Sequence, residues 1–128
     1  TPCEHTPMEE LTALMTRQQL TAMQDTVEQT FLSDAVVNYI VNLIVATRQH
    51  EEILRGASPR ATLAVTAMAK AVARLRGRDY VVPGDVREVF VHTVAHRLLL
   101  SPRAEARGRQ AEQILRDILE SVDAPRLR

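Results

Sequence analysis

Apolar positions recur along this chain at the three-and-four spacing of helices, in five segments that each carry a start signal and a stop. The first opens at Thr16, where Gln19 completes a capping box, and puts Leu20, Met23 and Val27 on one side. Thr6 and Glu9 offer a similar box upstream, before Leu11, Leu14 and Met15, but that piece is short. Thr30, Phe31 and Leu32 suit a brief extended stretch, after which Ser33 caps a second helix running to about Gln49. Val37, Ile40, Val41 and Ile44 form its stripe. Val36, Leu43 and Val45 widen that stripe until little of the helix is left to face water, which makes it the expected centre of the core.

A third helix is expected from Ser58 to about Arg76, with Ala61, Ala64, Val65, Met68, Val72 and Leu75 along one face and Gly77 as its stop. Its alanines keep it slim, so a neighbour can approach closely. Lys70, Arg74 and Arg78 fall four apart on another side, a row that reads as a solvated face. Tyr80, Val81 and Val82 form an extended link to a fourth helix that starts at Pro83, with Asp85 in its first turn and Val86, Val89, Phe90 and Val94 as its stripe. The Leu98-Leu99-Leu100 run is either that helix's end or a short strand able to pair with the segment around Phe31. Ser101 and Pro102 then break the pattern, Ala104 to Gln110 read as an exposed connection, and a fifth helix follows from Gln110 to Val122 on Ile114, Leu115, Ile118 and Val122. The tail from Asp123 holds Pro125 and reads as frayed. The expected fold class is therefore all-α: a small helical bundle of about five helices with at most short strand pieces near Phe31 and Leu99.

Composition narrows this further. The 128 residues are ordinary for one domain, which at this size buries about two-thirds of the surface of its unfolded chain. Hydrophobic residues make up 45% of the chain but aromatics only 3%, so the core must be built from Leu, Ile, Val, Ala and Met. Sixteen basic residues balance sixteen acids, so no bulk field recruits nucleic acid or an anionic membrane, and any basic site must be local. Cys3 has no disulfide partner and no Cys-x-x-Cys pair, which suits a reducing, cytoplasmic setting. No apolar run approaches the ~18 residues of a membrane span, so no membrane partner is expected. The chain begins at Thr1 without a methionine and reads as the cut edge of a longer protein.

The common catalytic motifs are missing: there is no phosphate-binding Gly-rich loop ending in Lys-Ser or Lys-Thr, no His-Glu-x-x-His pair and no Gly-x-Ser-x-Gly elbow, so activity of this chain alone is not expected. The stretch Gly56-Ala57-Ser58-Pro59-Arg60-Ala61 carries the most chemistry. Ser58 is a favoured N-cap type, Pro59 suits the first helical position, and Gly56 frees the approaching backbone. Free amides and the positive end of the helix dipole would then face the same space as the Arg60 guanidinium, which suits a phosphate. The same stretch also reads as a well-capped helix with a solvated arginine. His50, beside Glu51 and Glu52 at a helix end, suits a dipole contact. His92 and His96 share a face, but with no third ligand evident no metal site is expected. Two rivals remain: a nucleic-acid-binding domain using Lys70, Arg74, Arg76 and Arg78, and a helical protein-interaction module with no nucleotide role.

Ser33-Asp34-Ala35-Val36, Tyr39-Ile40-Val41, the Gly56 to Ala61 stretch, Arg76-Gly77-Arg78-Asp79-Tyr80-Val81 and His96-Arg97-Leu98, in this order, resemble the C-terminal lid of MoxR-type AAA+ ATPases. The likeness runs from about Met8 to Pro125. It implies that residues 1–15 are a cut edge and linker from a missing ATPase core, 16–125 the lid domain and 126–128 a frayed tail. It also implies that Arg60 is the catalytic sensor-two arginine reaching the ATP phosphates, with Ser58 and Pro59 beside it. Tyr39 and Ile40 are candidates for the adenine side, with Tyr39 as plain core the alternative. The implied cofactor is ATP, with Mg in the intact protein and none held tightly by this chain. The implied partners are the ATPase core of the same chain, further copies in a ring homo-oligomer and a client protein; neutral net charge and scarce aromatics argue against nucleic acid. Val82-Pro83-Gly84-Asp85 departs from the family's common Thr-Pro-Asp-Asp, losing a capping hydroxyl and one acidic group.

Overall fold

A computed structural model describes residues 17–126, apart from the side chains of Leu20 and Met23, so the Thr6 and Thr16 helix starts lie outside the described residues. The order is α1 (Arg17–Glu28), α2 (Asp34–Gln49), β1 (Ile53–Arg55), α3 (Pro59–Leu75), α4 (Pro83–Val94), β2 (Leu99–Leu100), α5 (Pro102–Ala106) and α6 (Ala111–Ser121). This is the expected helical bundle, with one small antiparallel pair of strands. α2, α3, α4 and α6 surround a core whose largest buried side chains include Tyr39, Phe90, Ile40, Leu43, Ile114 and Leu115.

Several helix boundaries have a local cause. Ser33 caps α2, its hydroxyl accepting from the Val36 amide at 3.3 Å. α3 ends in a Schellman arrangement: Gly77 takes a φ of 75°, its amide donates to the Arg74 carbonyl at 2.9 Å, and the Arg78 amide reaches the Ala73 carbonyl at 2.9 Å. The same motif closes α5 at Gly108.

The buried faces differ from the expected stripes by a rotation. α2 buries Val36, Tyr39, Ile40, Leu43, Ile44 and Thr47, while Val37, Val41 and Val45 are about two-fifths exposed, at 37%, 41% and 39%. Ten of the 16 positions of α2 are apolar, more than one face holds, so spacing alone did not choose between two overlapping stripes. α3 buries Ala61, Val65, Ala69 and Ala73, and Met68 and Leu75 point outward. Three alanines and one valine, one turn apart, let α4 lie close against it, and that choice outweighs burying the bulkier side chains.

The strand pairing also differs. β2 pairs with β1, Ile53 opposite Leu100 and Arg55 opposite Leu99, and not with the Phe31 segment. Ile53 is drawn into the core at the end of α2, and the Glu52 carbonyl accepts from the Ser101 amide at 2.9 Å, which brings the Leu99 run alongside. Phe31 bridges Tyr80 instead, its amide donating to the Asp79 carbonyl at 2.8 Å and its carbonyl accepting from the Val81 amide at 2.9 Å. Part of the expected 104–110 connection is helical: Ser101 caps α5 through the Ala104 amide at 3.1 Å, and Ala104 is buried.

The basic row on α3 and the turn after it makes bonds within the fold. Lys70 donates to the Glu28 carbonyl at 3.2 Å and Arg74 to the Thr30 hydroxyl at 2.9 Å, so two cations close the carboxyl end of α1. Arg78 forks onto Asp85 with two bonds of 2.6 Å, and Asp85, fully buried at the start of α4, also accepts from the Val82 amide at 2.9 Å. Burial pushes the Asp85 carboxyl up, but the Arg78 hydrogen bonds, the Val82 amide and the charges of Arg78 and Arg76 outweigh it and hold the group below its ordinary value. Arg87 on α4 joins three helices, donating to the Leu119 carbonyl at 3.1 Å and the Tyr39 hydroxyl at 3.4 Å.

Candidate nucleotide-phosphate site

Ser58 stands at the N-cap of α3 in extended conformation, at φ −79° and ψ 167°, and Pro59 occupies the first helical position. Both placements follow the sequence expectation. The Ser58 side chain makes no cap bond, and its backbone carbonyl accepts from the Ala61 amide at 2.9 Å. Arg60 is exposed, and among the described residues nothing accepts from its amide or pairs with its guanidinium. An exposed hydroxyl, an unpaired amide and an unpaired guanidinium therefore stand together at the positive end of a 17-residue helix.

What holds that helix start is buried. Thr47, on the last turn of α2, is 0% exposed; its hydroxyl donates to the Ile44 carbonyl at 2.6 Å and accepts from the Ala57 amide at 3.0 Å. Gly56 lies against the same turn so closely that a Cβ there would sit 2.7 Å from both the Arg48 Cα and the Thr47 carbonyl oxygen. These are backbone atoms that cannot swing aside. Gly56→Ala should therefore displace the loop and lower stability by about 1–3 kcal/mol, within the range of overpacking, as read by urea unfolding. A wild-type midpoint would show that the loop yields freely.

Tyr39 and Ile40 are each 1% exposed. That is a core placement, the alternative the sequence left open for Tyr39. The Tyr39 hydroxyl is used by Arg87. Tyr39→Ala should accordingly cost about 3–5 kcal/mol, as large aromatic truncations in cores do, measured by urea unfolding. A loss below about 1 kcal/mol would mean that the ring does little packing.

His92 and His96 are exposed and line one shallow groove with Met68, Ala64 and Arg97. Among the described residues no cluster of three or more His, Cys, Asp or Glu could hold a metal ion. The His50 ring caps its own turn, Nδ1 accepting from the Glu52 amide at 3.1 Å. The basic strip that offered a nucleic-acid face is largely committed: Lys70, Arg74 and Arg78 bond within the fold, and Arg76 pairs with Glu88. No helix among the described residues is long and apolar enough to cross a membrane.

Sequence reasoning did not single out Thr47, and it gave Asp85 only a dipole role. The signal for Thr47 was present, because a hydroxyl residue falls in register with the buried stripe of α2 at Leu43 and Ile44. A buried hydroxyl in that position needs partners.

The geometry agrees with what the chain is similar to. A family model described as AAA lid domain matches residues 45–118, more than half of the chain. An uncharacterized protein of Bacillus subtilis, YeaC, is 36% identical over 119 residues, covering 93% of this chain and 37% of that protein. Chaperone MoxR1 of Mycobacterium tuberculosis is 36% identical over 117 residues, covering 84% of this chain and 31% of its own length. A crystal structure of a protein assigned as an ATPase, from Cytophaga hutchinsonii, superposes with a TM-score of 0.76 at 34% identity, over 80% of this chain and 34% of that one. The chain thus spans about a third of the length of the relatives it matches. On the family match, the identity of these relatives and the superposition, the chain belongs to the AAA lid domain family, as a lid of the MoxR type.

Proposed function

We propose that residues 16–125 form the lid that follows an ATPase core in the same polypeptide, and that Arg60 is its sensor-two arginine. The observation that carries this is the unpaired, exposed Arg60 at the N-terminus of α3, on a helix start anchored in the core. Ser58 and Pro59 complete the phosphate-facing edge. Tyr39 and Ile40 serve that side only by holding α2 in place, as core beneath it.

The cofactor would be ATP, with Mg held by the core. Arg60 would neutralise charge on the β/γ-phosphates, and would lose a partner once hydrolysis removes the γ-phosphate. Because Arg60 rides on a rigid bundle, a change in its bonding becomes a change in the angle of the whole lid. Rings of identical copies would relay that motion to a client protein in the cytoplasm, in keeping with the chaperone name of the mycobacterial relative.

The division of labour is testable. The longer protein carrying this domain behind its core should hydrolyse ATP, and the 128-residue chain alone should not. Hydrolysis by the chain alone, or none by the longer protein with the lid intact, would overturn the assignment.

A further inference from the structure

We infer that Thr47 is a positioning residue for Arg60: its buried hydroxyl ties the end of α2 to the loop that launches α3, and so sets where the guanidinium stands. The inference rests on the sensor-two reading of Arg60.

The usual device for fixing a helix start is absent here, since the Ser58 side chain makes no cap bond. Ala57, Ala61 and Val65 are buried and seat the start of α3 by packing, to which the hydrogen bond adds a directional constraint. Between that packing and α2 the one side-chain bond to the approaching loop is the Ala57 amide donating to Thr47 Oγ1 at 3.0 Å, among the described residues. Thr47 uses both of its capacities, because the same hydroxyl donates to the Ile44 carbonyl at 2.6 Å and is thereby oriented with a lone pair toward Ala57. Gly56 supplies the contact distance: with no Cβ, the loop backbone lies directly on the α2 turn at Thr47 and Arg48. Only Ser58 and Pro59 separate this latch from Arg60, and Pro59 has a fixed φ, so little slack intervenes. Phosphate chemistry punishes slack, because a misplacement of about 1 Å from a substitution away from the reacting atoms can cost on the order of 100-fold in rate.

The methyl and hydroxyl of Thr47 can be separated by substitution. In the ATPase that carries this domain, Thr47→Val keeps the shape but leaves the Ala57 amide buried without an acceptor. Turnover should fall roughly 10- to 100-fold, the range of a misplaced catalytic group, and KM for ATP should shift in the same direction as Arg60→Ala shifts it. Thr47→Ser keeps the hydroxyl and should stay within about threefold of wild type, since the bond to Ala57 survives. The decisive comparison is Thr47→Val in an Arg60→Ala background. If Thr47 acts through Arg60, the double variant turns over no more slowly than Arg60→Ala alone. An added loss there, or Thr47→Val with wild-type turnover, overturns the latch while leaving the Arg60 assignment standing. An Arg60→Ala variant with wild-type turnover overturns the assignment itself. Should Thr47→Val fail to fold, Thr47→Ala makes the same comparison. In the unaltered chain the Ala57 amide should also exchange with solvent as slowly as core amides of α2, and exchange at the rate of an open loop would overturn the latch.

Discussion

Arg60→Ala, made in the longer ATPase proposed to carry this domain, should lower the turnover of ATP by on the order of 1000-fold or more while leaving the lid folded. The size follows from where the charge sits. A helix N-terminus by itself stabilises an anion by only ~0.3–1 kcal/mol, and that contribution survives the substitution. An arginine placed on a transferring phosphoryl group is worth ~10³–10⁵ in rate, because a contact already made to the γ-phosphate of bound ATP strengthens as charge shifts during the reaction. The folding side of the expectation comes from exposure: Arg60 is solvent-facing and unpaired among the described residues, so its removal breaks no bond that holds the bundle. Circular dichroism melts of the wild-type and substituted chain should therefore coincide. Arg60→Lys should recover little, since a point charge replaces a planar fork.

Asp85→Ala should be the most damaging single change to stability outside the hydrophobic core, at about 3 kcal/mol or roughly 10 °C in Tm. Asp85 is fully buried and holds two bonds from Arg78 and one from the Val82 amide, so truncation leaves a charged donor and a backbone donor without their acceptor. Arg78 is 21% exposed and keeps partial access to water, which places the cost at the lower end of the range for broken buried pairs. The effect has a defined pH dependence. The folded-state pKa of Asp85 lies below its ordinary value, so the carboxylate stabilises the fold at all pH values above the unfolded pKa of about 4. That stabilisation drains away as pH falls from there through the folded pKa. The stability gap between wild type and Asp85→Asn should thus be constant from pH 7 to 5 and shrink below about pH 4. A gap unchanged at pH 3 would mean that the ionised carboxylate is not what Arg78 requires.

Much of this was legible from spacing alone. Ser33, Pro59, Gly77 and Pro83 each mark a helix boundary by chemistry confined to a few neighbouring residues, and each stands where that chemistry puts it. Features that depend on distant partners were not legible. The pairing of Leu99 with Arg55, and of Phe31 with Tyr80, is decided by how α2 and α3 deliver their ends, which no local pattern encodes. The rotation of α2 reflects a helix with more apolar positions than one face can bury, so Val37, Val41 and Val45 were indistinguishable from Val36 and Leu43 until neighbours took their places. Lys70 and Arg74 looked like solvated charges because the carboxyl end of α1 that they cap lies more than forty residues upstream. The candidate site shows the same division. Ser58, Pro59 and Arg60 were readable as a helix start, whereas the Thr47 hydroxyl that steadies them belongs to another helix.

The central claim is that Arg60 distinguishes a nucleotide with a γ-phosphate from one without. Equilibrium affinities for ATP and ADP, measured on the intact ATPase before and after Arg60→Ala, test it most directly. The account predicts that the substitution weakens ATP binding while barely touching ADP, so that the preference between the two narrows. Equal weakening of both nucleotides, or an unchanged preference for ATP, would contradict it.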